Sequence, residues 1–597
     1  MSVRISTKEL ESFIGDVRPV WLISDENLKY ESIKWALEGD AVAMKTYCGF
    51  DHGDFSYGVL LTFVKEGEAK ISASYGEEVY ECRVTSRAMR DFSGKKLNFY
   101  RGDLHSHTTS EHNHDKFLSR TNYLYPDYLK YIKENNLRDF AVISDHASTI
   151  DIENFYRGFS AYEEVRDEME TIVYPGCEGE IMYTEEDRYG IPYRYSGELL
   201  TFNANNYCYS QTFEEFFYKM KNNPYAFGIF AHPHVIGGST RGVWNYRPRL
   251  YHPKPLVDLI KYVEVLGAPQ ARENMLHEYV YSEALDAGFR LSTTCGSDQH
   301  NNWDFNLFPD ATVIMAPEKS REAFTDALLN LRAYACESGN VKLLVNVNGY
   351  DAPCDLPEAK SYHFSVKIDY FVEDSSTRPI RCEVVSDGGK TLKTIEGVNF
   401  ESFEFDINSE TARWFYLRFV DSNTYRTFSP PIFTGRSVIP YEIDSLTPIS
   451  KEKFSIAEKS GKDASVLIND DPTTEWEADG MSAEFIIDMG ETRRISALGN
   501  YSVGLIRPRS GNIGDIMAKM EAVFPVDYRI STSSDGKNYT LADEGIFRTF
   551  SGEEIVKFEP LEARYLKLEL LSTVGSRLGR APYDKIPMKL AEITLFE

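Results

Sequence analysis

The chain has 597 residues, and its 92 acidic and 65 basic residues give a formal net charge of −27. This length predicts roughly three to five domains of ordinary size. The acidic surface makes nucleic acids and anionic membranes poor partners, because it repels their phosphates at a distance. A polyanionic substrate would need a locally positive pocket or a bound metal.

The N-terminal segment lacks the apolar stretch and the small-residue cleavage site of a secretory signal. No stretch is apolar over the ~18 residues that span a bilayer. The eight cysteines are scattered without a CxxC pair, which is typical of reduced thiols in a long chain. We therefore expect a soluble, cytoplasmic protein.

Residues 1–99 are predicted to be β-rich. Segments such as YGVLLTFV and AKISASYGEEVYECRV alternate and are rich in β-branched and aromatic residues. We expect an N-terminal β-sandwich-like domain.

Residues 100–340 follow a different pattern, in which short apolar runs alternate with helical segments. The runs include FAVIS, FGIFAHP and ATVIMAP, and helical patterns such as PDYLKYIKENN lie between them. Ser160 and Thr212 are predicted helix N-caps. Repeated βα units predict a parallel sheet or barrel, in which catalytic residues lie at the carboxyl ends of the strands.

The remaining chain is predicted to be all-β. Residues 341–440 contain alternating segments such as SYHFSVKIDYFV, which indicate a β-sandwich. Residues 441–597 begin with a linker, PYEIDSLTPISKEK, and continue as a second all-β domain. The fold class is therefore a multidomain α/β plus all-β protein.

The histidines are concentrated in the predicted α/β region. Ten of the twelve lie between His105 and His300, where uniform scatter would place about four. His105 and His107 alternate along an extended segment, so both rings project to one face and can chelate one ion. The groups at predicted strand ends are, in chain order, His105, His107, His112 and His114; Asp145 and His146; Glu178; His232; and Asp298 and His300.

This order of motifs (HxH, DH, Glu, HP, DxH) resembles the PHP (polymerase and histidinol phosphatase) superfamily over about residues 101–320. The segment FYRGDLHSHT further resembles its carbaryl-hydrolase-like branch. The resemblance implies a distorted (βα)7 barrel with two or three divalent metals, which would be zinc, manganese or iron. It implies a first ligand set of His105, His107, Glu178 and Asp298, a second of Glu178 and His232, and a third of His112, His146 and His300.

Glu198 stands where many members of this superfamily have a histidine ligand of the second metal. A carboxylate at this position either ligates and makes a harder site, or leaves this metal weakly bound or absent.

The residue chemistry supports a hydrolase beside the resemblance. Imidazole and carboxylate ligands suit zinc, manganese and iron. A carboxylate that bridges two ions places them ~3.5–4 Å apart, and water bound there is hydroxide near neutral pH.

Further residues are candidates for catalysis or support. Asp103 is placed to orient a ligand histidine, and Asp145 to steer a proton or support a ligand. Glu264, in VEV, is either a pocket carboxylate or a strand-end residue that bonds to backbone.

The segment after His232 supplies two more candidates. His234 either lines the pocket or bonds to backbone. Arg241 lies in a Gly-rich loop with Arg247 and Arg249, and these arginines either bind phosphate oxygens or form a solvated surface.

The segments LINDDPTTEW, FIIDMG, YRISTSSDGKNYT, ARYLKLELL and AEITLFE, in this order, resemble a discoidin-like (factor 5/8 type C) domain. The resemblance implies an antiparallel jelly-roll that binds glycans, phospholipid or proteins. The alternative is a purely structural domain. The resemblance also implies a structural calcium with the side chains Asn469, Asp471, Thr474 and Glu592.

The leading hypothesis is a phosphoesterase that cleaves a mono- or diester of a small, sugar-linked substrate through a metal-bound hydroxide. One alternative is a carboxylic ester, carbamate or amide hydrolase. Another is a non-catalytic scaffold that binds glycan or protein through a degenerate barrel. The sequence leaves the oligomeric state open.

Overall fold

A computed structural model describes most of the chain. It covers residues 2–26, 28–29, 32–47, 57–108, 125–135, 138–147, 152–186, 188–190, 192–205, 208, 212–220, 223–233, 258–267, 276–299, 310–436, 446–502, 519–548 and 552–597. Within these ranges, every helix is too short or too polar to cross a bilayer.

The N-terminal region consists of two four-stranded sheets. Its strands are β1 (Val3–Ile5), β2 (Glu9–Phe13), β3 (Val17–Ser24), β4 (Ile33–Glu38), β5 (Val42–Tyr47), β6 (Tyr57–Phe63), β7 (Gly67–Tyr75) and β8 (Glu78–Arg87). The sheet orders are β1-β3-β6-β5 and β2-β8-β7-β4. Alternation gives β7 one buried face, with Ala69, Ile71 and Ala73, whereas residues 58–63 of β6 are buried on both faces. The predicted β-rich character of this region is confirmed.

Residues 98–336 form an α/β region. Its strands are β9 (Asn98–Ser106), β10 (Phe140–Ile143), β11 (Ile172–Pro175), β12 (Glu178–Glu186), β13 (Pro192–Phe202), β14 (Phe227–Ala231), β15 (Ile260–Gly267), β16 (Ser292–Gly296), β17 (Ala311–Ala316) and β18 (Ala333–Cys336). Its helices are α1 (Tyr125–Asn135), α2 (Ile152–Val165), α3 (Phe213–Met220), α4 (His277–Asp286) and α5 (Arg321–Leu329).

Parallel pairing occurs in two places within this region. β9, β10 and β11 pair in parallel, and so do β14, β15 and β16. Every residue of β10, β14 and β16 is buried, as expected for parallel strands covered on both faces. These strands and their helices agree with the apolar runs and helical patterns in the sequence.

The expectation of uniformly repeated βα units is wrong between Glu178 and Phe202. There β12 and β13 form a long antiparallel hairpin, and β13 pairs antiparallel with β14. Tyr193 and Tyr195 alternate with the polar residues Arg194 and Ser196 in β13, a period of two that favours a strand over a helix.

One of the two predicted helix caps is also wrong. Ser160 lies inside α2, because this helix begins eight residues earlier, at Ile152. Thr212 does cap α3, and its Oγ1 accepts a hydrogen bond from the amide of Glu215 at 3.2 Å.

Two isolated parallel bridges connect the sheet that contains β9, β10 and β11 to the sheet with the order β12-β13-β14-β15-β16. Ser106, at the end of β9, bridges Gln299 after β16, and His146, after β10, bridges Glu178 at the start of β12. The strand ends that carry the candidate ligands therefore meet.

The sheet that contains β9 continues into the next β-rich region. β9 pairs with β17, β17 with β18, and β18 with β27 (Arg426–Phe428), in a sheet that ends with β26 (Trp414–Asp421), β23 (Pro379–Ser386) and β24 (Lys390–Glu396). The other strands of this region are β19 (Val341–Val347), β20 (Tyr350–Asp351), β21 (Cys354–Asp355), β22 (Ser361–Tyr370), β25 (Ser402–Asn408) and β28 (Ile432–Phe433). A second sheet has the order β20-β19-β22-β25.

The described strands of the C-terminal region pair antiparallel, and a short helix, α6 (Val574–Leu578), lies among them. Its strands are β29 (Ser455–Glu458), β30 (Trp476–Glu477), β31 (Ala483–Tyr501), β32 (Asp527–Ser533), β33 (Thr540–Ile546), β34 (Glu553–Leu570), β35 (Lys589–Leu590) and β36 (Glu592–Phe596). The main sheet has the order β29-β31-β34-β32-β33, with β36 on β31. Trp476 is buried in the core against Phe485.

Candidate metal centre

The carboxyl ends of β9 and β16 bring the first candidate ligands together. The amide of Asp298 donates to the carbonyl of His105 at 2.9 Å, and the amide of His107 donates to the carbonyl of Gln299 at 3.0 Å. Both imidazoles are fully buried, and their Nε2 atoms are 3.0 Å apart. Backbone pairing of two distant strands thus fixes the position of the HxH motif.

Asp298 and Glu178 complete a four-residue set around these imidazoles. Oδ1 of Asp298 lies 3.4 Å from Nε2 of His105 and 3.1 Å from Nε2 of His107. Glu178 lies 3.4 Å from Nε2 of His105 through Oε1 and 3.5 Å from Nε2 of His107 through Oε2. One ligand atom from each of the four residues lies within 4.8 Å of the others. These are the four residues that the sequence grouped as the first ligand set.

Glu178 also contacts a second set of side chains. Nε2 of His232 lies 3.0 Å from Oε1 of Glu178 and 3.2 Å from Oε2 of Glu198. Nδ1 of His146 lies 2.9 Å from Oε2 of Glu178 and 3.5 Å from Oε1 of Glu198. Glu178 therefore lies between the two sets, and Glu198 reaches the second.

Several predicted site residues lie outside the described residues. They are His112, His234, Arg241 and His300, together with the loop arginines Arg247 and Arg249. Of the predicted third ligand set, only His146 is described, and its Nδ1 faces the second set.

The donor sets suit divalent cations. In a tetrahedral zinc site with bonds of 2.0–2.1 Å, neighbouring ligand atoms are about 3.3 Å apart. The contacts in the two sets are 2.9 to 3.5 Å. Oε2 of Glu178 is buried and makes no well-oriented hydrogen bond to the described residues, although a buried carboxylate oxygen normally has one. A cation between the two sets would coordinate this oxygen.

Two of the candidate ligands have a strained backbone. His232 has φ of 24° and Asp298 has φ of 48°. Such positive φ angles cost a non-glycine residue about 1–3 kcal/mol, and they cluster at functional sites. The strained position directly follows a buried strand in His232 and lies two residues after one in Asp298, so each turn directs the side chain into the shared pocket.

The electrostatics of the pocket favour positive charge. Burial opposes a charge on His146 and His232, but Glu178 and Glu198 outweigh it and raise the pKa of these imidazoles to about 10 and about 9. Burial and the adjacent Glu178 raise the pKa of Glu198 to about 7. Protonated imidazoles or divalent cations can supply the positive charge that these carboxylates require.

Glu264 is a site residue that the sequence left undecided. Its Oε1 lies 2.9 Å from Nδ1 of His105, and its Oε2 accepts a hydrogen bond from the amide of His232 at 2.8 Å. A Cβ atom at Gly296 would collide with this carboxylate and with His105, so the neighbouring strand requires glycine. Glu264 thus orients one residue of each ligand set. A glutamate in the middle of an otherwise apolar strand was the signal in the sequence.

Asp103 and Asp145 hold the backbone around the HxH motif. Oδ1 of Asp103 accepts hydrogen bonds from the amides of His105 at 2.9 Å and Ser297 at 3.1 Å. Asp145 accepts hydrogen bonds from the amide and the hydroxyl of Thr108 at 2.7 and 2.6 Å. Both carboxylates are buried, which fits the supporting roles expected for them.

The residues implied as calcium ligands in the C-terminal region do not fit a calcium ion. The ammonium of Lys451 lies 2.5 Å from Oε1 of Glu592 and 2.8 Å from Oδ1 of Asp470. The Lys451 side chain is only 5% exposed, so its charge is held where a cation would have to bind. Asn469 meanwhile donates to Oγ1 of Thr474 at 3.2 Å. An internal ammonium thus neutralises Glu592.

Comparisons with known proteins add little to this geometry. No protein-family model matches the chain, and no curated protein matches it either. Among solved structures, the domain CpGH89CBM32-5 of Clostridium perfringens, in complex with GalNAc-β-1,3-galactose, is 15% identical and is covered over 100% of its length by 25% of this chain, with a TM-score of 0.20.

Two other structures are similar to the same extent. The family 32 CBM from C. perfringens NanJ, in complex with galactose, is 19% identical, with a TM-score of 0.20 over 26% of this chain and 99% of its own. The C-terminal domain of a chitobiase from Bacteroides fragilis is 19% identical, with a TM-score of 0.19 over 25% of this chain and 96% of its own. At these values, the similarities say nothing about what this chain binds.

Proposed function

We propose that this protein is a metal-dependent hydrolase of the PHP type, and that its α/β region is a distorted (βα)7 barrel. The bridge from Ser106 to Gln299 supports the barrel, because it connects the carboxyl ends of its two parallel strand groups, and the bridge from His146 to Glu178 connects the end of β10 to the hairpin β12–β13. The convergence of histidines and carboxylates at these strand ends supports the hydrolase.

The position of Glu178 is the observation that carries the proposal. One of its oxygens lies 3.4 Å from His105, and the same oxygen lies 3.0 Å from His232 in the other set. A carboxylate shared between two ligand sets is the arrangement of two-metal hydrolases. Zinc, manganese or iron would be held by His105, His107, Glu178 and Asp298 on one side and by His146, Glu178, Glu198 and His232 on the other.

Divalent cations in such a site lower the pKa of bound water toward neutrality and neutralise charge that develops on substrate oxygens. The protein's own contribution is orientation and exclusion of water. Glu264 fixes the ring of His105 and the backbone of His232. Asp103 accepts hydrogen bonds from the backbone amides of His105 and Ser297 and so fixes the backbone next to the first ligand set. Buried carboxylates around a buried donor set keep the ligands preorganised.

A phosphoester is the substrate class that this arrangement suits best. Two adjacent cation sites can contact both the attacking and the leaving oxygen of a phosphoryl centre. A carboxylic ester, carbamate or amide instead needs one site for a single developing oxyanion. We therefore place a small phosphate mono- or diester first, and the carbon-centred esters second.

Elemental analysis of the purified full-length chain, paired with assays on an aryl phosphodiester and an aryl carboxylic ester, tests this proposal. We expect about two equivalents of zinc, manganese or iron, and turnover of the phosphodiester. His107→Ala should lose metal and lower turnover by more than about 10³-fold, because it removes a fully buried ligand. His363→Ala, which changes an exposed histidine, should alter neither.

Three results would count against the proposal. Full activity in His107→Ala would exclude the metal centre as the catalytic site. Turnover of the aryl carboxylic ester but not of the phosphodiester would favour a carboxylic ester, carbamate or amide as the substrate. A chain that retains no divalent metal after reconstitution, and hydrolyses neither ester, would be a scaffold rather than a hydrolase.

A further inference from the structure

A small cavity lies where three regions of the chain meet, away from the metal centre. It is bounded by α4 of the α/β region, by the strands β23 and β26 with the turn that follows, and by α6 of the C-terminal region. Its volume is about 50 Å³, which is enough for several water-sized atoms. Four arginines line it: Arg381, Arg418, Arg426 and Arg577.

The lining of this cavity is positive in a strongly acidic protein. Two carboxylates, Glu278 and Glu383, line it beside the four guanidinium groups. Arg418 forms ion pairs with both of them. The partner of Arg577 is Asp527, at 3.2 Å, which is not part of the lining. The lining thus carries four positive and two negative groups, and two further carboxylates outside the lining, Asp527 and Glu337, pair with Arg577 and Arg426.

Arg426 provides an independent sign that a ligand is bound here. Its side chain is 4% exposed, and its Nη1 lies 3.2 Å from Oε2 of Glu278. Its Nη2 is buried and has no hydrogen-bond partner among the described residues. A buried guanidinium N–H without an acceptor destabilises the fold, because its hydrogen bond to water is lost and no hydrogen bond within the protein replaces it. An acceptor in the cavity would remove this cost.

We propose that this cavity binds a small phosphate-bearing anion. Guanidinium groups present planar pairs of donors that match the oxygens of a phosphate, and several of them converge here. The N–H of Arg426 that has no acceptor among the described residues suits an oxygen of such an anion. A cavity of about 50 Å³ holds one tetrahedral group, and the exposed edge of Arg381, whose side chain is 35% accessible, leaves a way in.

Either inorganic phosphate or the phosphate of a small ester can supply this chemistry. Because the ligand would touch all three regions, it should stabilise their arrangement and raise the temperature of unfolding. This site does not depend on the proposed hydrolase activity, since none of its residues is a candidate metal ligand.

Calorimetric titration of the full-length chain with inorganic phosphate, at constant ionic strength, tests the proposal. We expect saturable binding that persists in His107→Ala, where the metal centre is disabled. Arg577→Ala should weaken this binding at least about tenfold, because it removes a charged hydrogen-bond donor. Arg564→Ala is a matched control, since Arg564 also pairs with a single aspartate, Asp488, and lies outside the cavity lining.

A second variant guards against misfolding of the first. Arg381→Ala changes a partly exposed side chain at the mouth and should also weaken phosphate binding about fivefold or more. Parallel titration of His107→Ala with glucose 6-phosphate tells whether a free or an esterified phosphate binds more tightly. The proposal is overturned if the wild-type chain shows no saturable binding. It is also overturned if both arginine variants, folded by circular dichroism, bind phosphate as the wild type does.

Discussion

At the scale of single residues, buried carboxylates organise the candidate centre, and Glu264 itself lies within metal-ligand distance of His105 and His232. Glu264 contacts the ring of His105 with one oxygen and the amide of His232 with the other. Carboxylates that accept from the non-ligating nitrogen of a histidine fix its tautomer and ring orientation. The strained backbone of His232 gives this contact a second role, because the hydrogen bond to Oε2 holds the turn in place.

Glu264→Gln should therefore weaken metal binding about 10- to 100-fold, which is the usual cost of losing such a partner. The change keeps the size of the side chain but removes its charge. Competition with a chelator of known affinity measures the effect directly. Glu322→Gln is the matched control, because Glu322 is equally buried but pairs with Arg87 and Arg90 far from the centre. Equal metal affinity in Glu264→Gln and the wild type would refute the positioning role.

At the scale of elements, the hairpin β12–β13 connects the metal centre to the C-terminal region. Its base carries Glu178 and Glu198, and its tip carries Arg188 and Tyr189. Arg188 donates to both oxygens of Glu553 at 2.6 and 2.7 Å, and the ring of Tyr189 packs edge-on against Tyr501. The C-terminal region thus holds the tip of the hairpin, and the base of the same hairpin supplies the candidate ligands Glu178 and Glu198.

Breaking the ion pair between Arg188 and Glu553 should weaken metal binding at the centre. Arg188→Ala is expected to weaken metal binding roughly fivefold, at the low end of couplings between distant sites. Glu553→Gln should also weaken metal binding. The double variant should bind metal as tightly as the single variant with the larger effect, because both changes break the same interaction. Arg564→Ala again serves as the control. Fully additive effects of the two single variants would show that the pair does not act as a unit.

At the scale of the whole molecule, Asp286 ties three regions together. From the end of α4 it accepts hydrogen bonds from the indole of Trp414 at 2.9 Å and the amide of Gly388 at 3.0 Å. It also pairs with Arg548 of the C-terminal region at 2.7 Å. Arg548 is only 4% exposed, so its charge depends on this partner. These contacts favour a C-terminal region that is docked rather than tethered.

Asp286→Ala should therefore destabilise the protein by about 3 kcal/mol or more, because it leaves a buried arginine without its carboxylate. We expect the C-terminal region to unfold as a separate transition at lower temperature in scanning calorimetry. Asp355→Ala, which removes an exposed ion pair with Arg290, should change stability by less than about 1 kcal/mol. A single transition at the wild-type temperature in Asp286→Ala would contradict the docking.

The sequence by itself determined the residue types and the elements that carry them. Buried strands such as β10 and β14 follow from short apolar runs, and the HxH spacing places His105 and His107 on one face because strand residues alternate. Glu178, Asp298 and His232 were identifiable for a similar local reason, since each lies at the edge of a recognisable apolar run. The sequence does not predict the antiparallel hairpin, because its strands mix polar and apolar residues and form no continuous apolar run.

Only the tertiary structure decided which of these groups face one another. His146 and Glu198 are 52 positions apart in the sequence, and nothing local indicates that they share a pocket with His232. The same holds for the ion pair between Glu553 and Arg188 and for the arginine cavity, whose lining residues come from three regions of the chain. Such contacts depend on how strands and domains pack over long chain separations, and local propensity and side-chain periodicity carry no information about that packing.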